Sequence, residues 1–133
     1  MKRVYIPGVW DLFHIGHLNV LREAKKLGDY LVVGVCSDDI CINTKCKPII
    51  KEDWRLEVIE NIKFVDYALV YRNLDYFQYI KDQEISIFAV GEEFGYLEEH
   101  QRAIALCKEN KIEMVKIPRY PGISSTIIKE KIL

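Results

Sequence analysis

Apolar residues recur along this chain in two alternating modes. Short, nearly unbroken apolar runs fall at positions 3–6, 30–36, 67–71, 86–90 and 113–117, and between them apolar residues return every three or four positions. Runs of this length, rich in Val, Ile, Leu and Phe, predict strands buried on both faces. The slower recurrence predicts amphipathic helices near 17–27, 53–63, 75–82 and 96–110, with a last helix from about 125. In the first of these Val20, Leu21, Ala24 and Leu27 share a face; in the second, Val58, Ile59 and Ile62 do. Strands alternating with helices imply a parallel sheet covered on both sides, a doubly wound α/β domain. In such a sheet the ligand crevice opens at the carboxyl ends of the strands, where the strand order reverses. At 133 residues the chain is long enough for one such core and too short for two.

The first strand-to-helix junction carries the densest chemistry. It reads Gly8-Val9-Trp10-Asp11-Leu12-Phe13-His14-Ile15-Gly16-His17. The first N–H groups of a helix have no intrahelical partner and lie at the positive end of its dipole, so this junction suits an anion. His14 and His17 are one helical turn apart and can face one phosphate chain, and Gly16 between them lets a ligand approach the backbone. His-x-x-His can also ligate zinc, but zinc needs a third and usually a fourth ligand. His100 is the only other histidine, and Cys36, Cys41, Cys46 and Cys107 contain no Cys-x-x-Cys, so they read as reduced structural thiols.

Four further segments carry candidate chemistry. After the second strand a polar loop holds Lys45 and Lys47 ahead of Pro48, where either lysine could reach over a bound polyphosphate. Arg55 lies near the amino end of its helix, an unfavourable place for a cation unless something negative is close. The fourth strand runs into Gly91-Glu92-Glu93-Phe94, a candidate pocket wall, although Glu93 equally suits the first turn of the next helix. Trp10, Tyr76, Phe77, Phe94 and Tyr96 are numerous enough for an aromatic cage around a quaternary ammonium, and equally suit a core. Finally, Arg119-Tyr120-Pro121-Gly122-Ile123-Ser124-Ser125-Thr126 breaks the chain after the fifth strand, and Ser124 or Ser125 is a natural N-cap for a second anion-binding helix start.

Charge narrows the function classes. Nineteen Lys and Arg against 20 Asp and Glu give a formal charge of −1 with no polybasic run, which argues against a dedicated nucleic-acid binder. No apolar run approaches the roughly 20 residues of a membrane span, and no signal-peptide pattern opens the chain, so a cytoplasmic protein is expected.

The junction Gly8-x-Trp10-Asp11-x-x-His14-x-Gly16-His17 resembles the G-x-[FYW]-D-x-x-H-x-G-H signature of the small cytidylyltransferases, within the nucleotidyltransferases that share His-x-Gly-His. The Arg119 segment is similar to their second signature, R-T-x-G-I-S-T-[ST]. The resemblance spans essentially the whole chain and is closest to glycerol-3-phosphate cytidylyltransferases. It implies a Rossmann-like five-stranded parallel sheet of order 3-2-1-4-5 and transfer of CMP from CTP to a small phosphorylated alcohol, with Mg²⁺ held mainly by the triphosphate. It implies catalytic roles for His14, His17, Arg119 and one of the two loop lysines, Lys47 being placed slightly better. It implies nucleotide contacts from Gly8, Val9, Trp10, Gly16, Lys45, Arg55, Gly91, Glu93, Gly122, Ile123, Ser124, Ser125 and Thr126. Asp11, Lys63, Glu92 and Phe94 are the implied acceptor contacts, with Lys63 standing where relatives carry arginine. Asp11 could instead support the turn. Relatives are commonly homodimers, and no membrane or nucleic-acid partner is implied. Choline, ethanolamine or sugar phosphate remain alternative acceptors. Because Ile-Ser-Ser-Thr also resembles adenylyltransferases, ATP with FMN or heptose phosphate is the alternative pairing. A nucleotide-binding module without turnover is the alternative outside enzymes.

Overall fold

The computed structural model describes residues 1–43, 47–73, 75–92, 94–95 and 97–132, with the side chains of positions 43 and 76 outside the description. Strands β1 (Arg3–Gly8), β2 (Tyr30–Cys36), β3 (Tyr67–Tyr71), β4 (Ile87–Gly91) and β5 (Glu113–Ile117) form one parallel sheet in the order β3-β2-β1-β4-β5. This is the expected Rossmann-like doubly wound arrangement. The helices are α1 (Ile15–Lys26), α2 (Asp38–Asn43), α3 (Glu52–Glu60), α4 (Tyr76–Asp82), α5 (Glu98–Glu109) and α6 (Ser125–Ile132).

Strand side chains alternate between two cores, because successive Cβ atoms leave opposite faces of a strand. Val4, Ile6, Leu31, Val33, Val35, Ile87 and Ala89 meet Leu21 and Ala24 of α1 and Ile59 of α3 on one face. Tyr5, Val32, Cys36, Phe88 and Val90 meet Cys41 of α2, Ile80 of α4 and Ala103 and Cys107 of α5 on the other. Cys36, Cys41 and Cys107 are buried free thiols, as the apolar context of Cys36 suggested.

One break in the sheet makes the crevice. β1 stays paired with β2 as far as Gly8↔Val35, and β4 stays paired with β5 as far as Gly91↔Ile117. Between β1 and β4, however, the paired residues end at Tyr5↔Phe88. Pro7 has no N–H to offer a neighbouring strand, and the two central strands part towards their carboxyl ends. This is also where the strand order reverses.

Three local expectations are corrected. The segment after β2 is not wholly loop: Ser37 Oγ accepts the Ile40 N–H and starts α2, a cap that Ser37-Asp38-Asp39 announces in sequence. α1 begins at Ile15 rather than near 17, because its cap is His14, an unusual residue for that role. On α3 the buried face is Arg55 and Ile59, whereas Val58 is 43% exposed. The pattern misleads there because an arginine occupies a core position.

Candidate active site

The β1–α1 turn is held open by two residues with positive φ, Trp10 (60°) and Leu12 (50°). Trp10 stays there because its indole N–H donates to the Gly34 carbonyl at 2.9 Å and its ring is buried. Gly8 is required beneath it, since a Cβ at that position would come within 2.6 Å of the indole. The turn delivers His14 to the N-cap of α1. Its Nδ1 accepts the Gly16 N–H at 3.0 Å, while His17 Nδ1 accepts the His14 N–H at 3.2 Å, a reciprocal capping box built from two imidazoles. The rings stack with centroids 3.8 Å apart, and a Cβ at Gly16 would collide with the His14 ring at 2.7 Å.

This geometry sets the protonation state. Burial, then the charge of His14 beside it, lowers the His17 pKa to about 4 against a smaller opposing pull from Asp11, and burial lowers that of His14. Both rings are therefore neutral near pH 7. Because each Nδ1 accepts a backbone hydrogen, each proton is assigned to Nε2. His14 Nε2 is buried without a hydrogen-bond partner among the described residues, a donor of the kind an anionic ligand satisfies.

The start of α6 faces the same crevice. Gly122, at φ 85°, turns the chain, Ser124 Oγ caps the helix by accepting the Ile127 N–H at 3.1 Å, and Ser125 Oγ donates to the Asp11 carbonyl at 2.6 Å. One lobe of about 230 Å³ is lined by His14, Gly16, His17, Gly91, Glu92, Arg119, Ile123, Ser124 and Ser125, with Val20, Ile117 and Tyr120. A second lobe of about 380 Å³ shares His17, Val20, Gly91 and Ser125 and extends past Gly8, Val9, Trp10, Asp11, Pro48, Thr126 and Lys129. Lys129 escaped the sequence reading. Its signal is a four-residue step from Ser125 that puts both on one face of α6, opposite Asp11.

Asp11 is buried, and its carboxylate accepts the Ile49 and Ile50 N–H groups at 2.9 and 3.0 Å and lies 3.3 Å from Lys129 Nζ. Burial would raise its pKa; those two amides and the ammonium outweigh it and hold the carboxyl below the usual range. The carboxylate thus ties the turn to the segment at Ile49–Ile50 and to α6. Lys47 is exposed, one residue before Pro48 on the rim of the second lobe.

Not every expected residue reaches the crevice. Arg55 is 1% exposed, and its guanidinium donates to the Ile50, Val9 and Cys36 carbonyls, each at 2.8 Å, and to the Asp38 carboxylate at 2.6 Å. The negative partner demanded by its position is Asp38, not a ligand phosphate. Lys63 lies in the turn between α3 and β3, at the amino edge of the sheet and so at the opposite end from the crevice. Phe94 stacks on His100 at 4.0 Å and meets Phe88 edge-on at 5.5 Å, so it belongs to the second core. Trp10 and Phe94 therefore form no aromatic cage together, and Phe77 borders a different groove. Lys45, Glu93, Cys46 and Tyr96 lie outside the described residues, as does the Tyr76 side chain.

The cytidylyltransferase-like family model matches residues 5–131, both signatures included. The chain belongs to this family. Among family relatives, the glycerol-3-phosphate cytidylyltransferase of Bacillus subtilis is 34% identical, covering 99% of this chain and 98% of its own. The FAD synthase of Thermoplasma volcanium is also 34% identical, over 100% of this chain and 95% of its own. The solved lipopolysaccharide core biosynthesis protein of T. volcanium superposes with a TM-score of 0.80 at 33% identity, covering 90% of this chain and 98% of that one. Family membership makes the chain a nucleotidyltransferase, and no described helix is long and apolar enough to cross a membrane.

Proposed function

We propose that this protein transfers CMP from CTP to a small phosphomonoester, with glycerol-3-phosphate the favoured acceptor. The observation that carries the reading is the stacked His14/His17 pair, both of which line the lobe that also receives the amino end of α6 and Arg119. An acceptor phosphate oxygen attacks the α-phosphorus of the nucleotide, the bond to the β-phosphate oxygen breaks, and pyrophosphate leaves with its electron pair. The acceptor phosphate is already ionised near neutral pH, so no general base is needed, and catalysis is positioning plus cationic and N–H stabilisation of the transferring group. His14 and His17 donate to that group. Arg119 and Lys47 neutralise charge on it, and Ser124, Ser125 and Thr126 receive the outer phosphates at the helix start. Glu92 in the first lobe is the acceptor for a ribose or polyol hydroxyl.

Mg²⁺ is expected to enter with the triphosphate, held mainly by phosphate oxygens and water with few protein ligands. It would supply further charge neutralisation on the phosphate oxygens. The homodimer that the family resemblance implies and the cytoplasmic location expected from the sequence are part of the same proposal.

A second reading is adenylyl transfer to FMN. It is favoured by the FAD synthase relatives and by the larger second lobe, bordered by Pro7, Val9, Trp10 and Pro48, which suits a ring system better than glycerol. Pyrophosphate release measured for CTP and ATP against glycerol-3-phosphate, choline phosphate, ethanolamine phosphate and FMN decides between them. Release confined to CTP with glycerol-3-phosphate is the expected result; release only with ATP and FMN moves the assignment. Nucleotide binding with no release from any pair would mean either an acceptor outside this set or a binding module. Substitution of His14 or His17 by Ala should lower kcat roughly 10²–10³-fold, as loss of a preorganised donor does. Near-normal turnover in a folded variant would refute these roles.

A further inference from the structure

Two ties meet on a single residue, Ile50, two positions after Pro48 at the edge of the second lobe. The Ile50 N–H donates to the Asp11 carboxylate at 3.0 Å, and the Ile50 carbonyl accepts the Arg55 Nε–H at 2.8 Å. The far ends of both ties lie on the histidine turn. Asp11 is part of it, and Arg55 Nη1 donates to the Val9 carbonyl at 2.8 Å. Arg55 cannot swing away, because Asp38 and the Cys36 carbonyl hold the rest of its guanidinium inside the protein. These are charge-assisted bonds in a buried setting, where each is stronger than its exposed equivalent. A surface loop is ordinarily the most loosely held part of a fold. This one is anchored from both sides, three residues after Lys47.

We propose that Asp11 and Arg55 are positioning residues: they hold the two successive peptide groups that flank Ile50, one by its N–H and the other by its carbonyl, and keep the Lys47 loop in register with the turn carrying His14 and His17. The proposal rests on the reading above that Lys47 acts on the transferring phosphate. Its physical basis is that displacing a charged group by about 1 Å can lower turnover on the order of 10²-fold without any loss of the group itself. It also explains why two residues expected at the ligand are instead occupied with backbone.

The test is a double-mutant cycle read together with hydrogen exchange. In the unaltered protein the Ile49 and Ile50 amides should exchange at least roughly tenfold more slowly than unprotected amides; free exchange overturns the clamp. Asp11→Asn keeps the side chain's size but turns one acceptor into a donor facing a backbone N–H. It should accelerate exchange across residues 47–51 and lower kcat ~10–100-fold while nucleotide KM stays within about threefold. In a Lys47→Ala background the same change should lower kcat less than about threefold, because there is no ammonium left to place. Equal losses in both backgrounds overturn the proposal. A Lys47→Ala protein with unaltered turnover refutes the reading of Lys47 itself, and the positioning role falls with it. If Asp11→Asn does not fold, Arg55→Lys replaces it in the same cycle, since lysine keeps the charge beside Asp38 and loses the fork that spans Val9 and Ile50.

Discussion

At the scale of single residues, the histidine pair shows how capping and chemistry share one set of atoms. Each imidazole spends Nδ1 on a backbone N–H, which fixes its tautomer and leaves Nε2–H for a ligand. The same burial makes the pair sensitive to acid. His17 titrates near pH 4 when folded and near 6.5 when unfolded, so the unfolded chain takes up the proton first. Its contribution is present in full above about pH 6.5 and is lost as the pH falls towards 4, roughly 3 kcal/mol in all. His14 and His100 shift in the same direction. Asp11 and Asp66, held below the usual carboxylate range, lose their contributions only at lower pH. Urea midpoints between pH 7.5 and 4.5 should therefore fall steadily, and His17→Gln should flatten that slope; an unchanged slope would mean His17 is not the titrating group. The paired spacing and Gly16 were legible because they are local. The pKa shift was not, since burial depends on what packs around the turn.

At the scale of elements, α2, α3 and the β1–α1 turn are joined by a polar network beside the apolar packing of Trp10 and Ile59. The Asp38 N–H donates to Glu52 and the Glu52 N–H donates to Asp38, so the two helices cap each other, and Arg55 closes the group from within. Asp38→Ala should cost on the order of 3–5 kcal/mol in chemical denaturation, because it leaves a buried guanidinium uncompensated. Arg55→Met, which removes the charge and keeps apolar bulk, should cost less for the charge itself but release the Val9 and Ile50 carbonyls. A larger loss for Arg55→Met in stability with none for Asp38→Ala would contradict the arrangement. The strands and most helices were readable from periodicity. The burial of Arg55 was not, because hydrophobic patterning scores an arginine as surface and its partners lie at positions 9, 36, 38 and 50, far apart in the chain. Lys63 failed for the complementary reason: a residue's distance from a motif in sequence says nothing about which end of a parallel sheet it occupies.

At the scale of the whole molecule, two strand glycines make opposite predictions. A Cβ at Gly34 would collide with the Tyr5 ring and its hydroxyl inside the second core, so Gly34→Ala should overpack it and lower stability by roughly 1–3 kcal/mol. A Cβ at Gly91 meets nothing within 4 Å, and Gly91 borders both lobes of the crevice. Gly91→Val should leave the melting temperature nearly unchanged and raise nucleotide Kd or KM at least roughly tenfold by filling the space where the central strands part. Calorimetry and steady-state kinetics check the pair together. Unimpaired ligand affinity in Gly91→Val would place the ligand elsewhere.

The sequence by itself determined what depends on near neighbours: the alternation of strand and helix, the imidazole pair one turn apart, the glycine between them and the serine that starts the last helix. Those features follow from fixed backbone periods and from groups within four residues of each other. The lateral order of the strands came from the resemblance that the two motifs carry, and tertiary structure alone decided the parting of β1 from β4 beyond Tyr5 and which charged side chains face the crevice. Asp11 and Arg55 have the charges and positions of ligand contacts, yet Asp11 bonds to amides 38 and 39 residues away and Arg55 to carbonyls 5, 19 and 46 residues away. The physical reason is that a buried charge takes whichever partners the packed chain presents to it, and only the assembled fold specifies those partners.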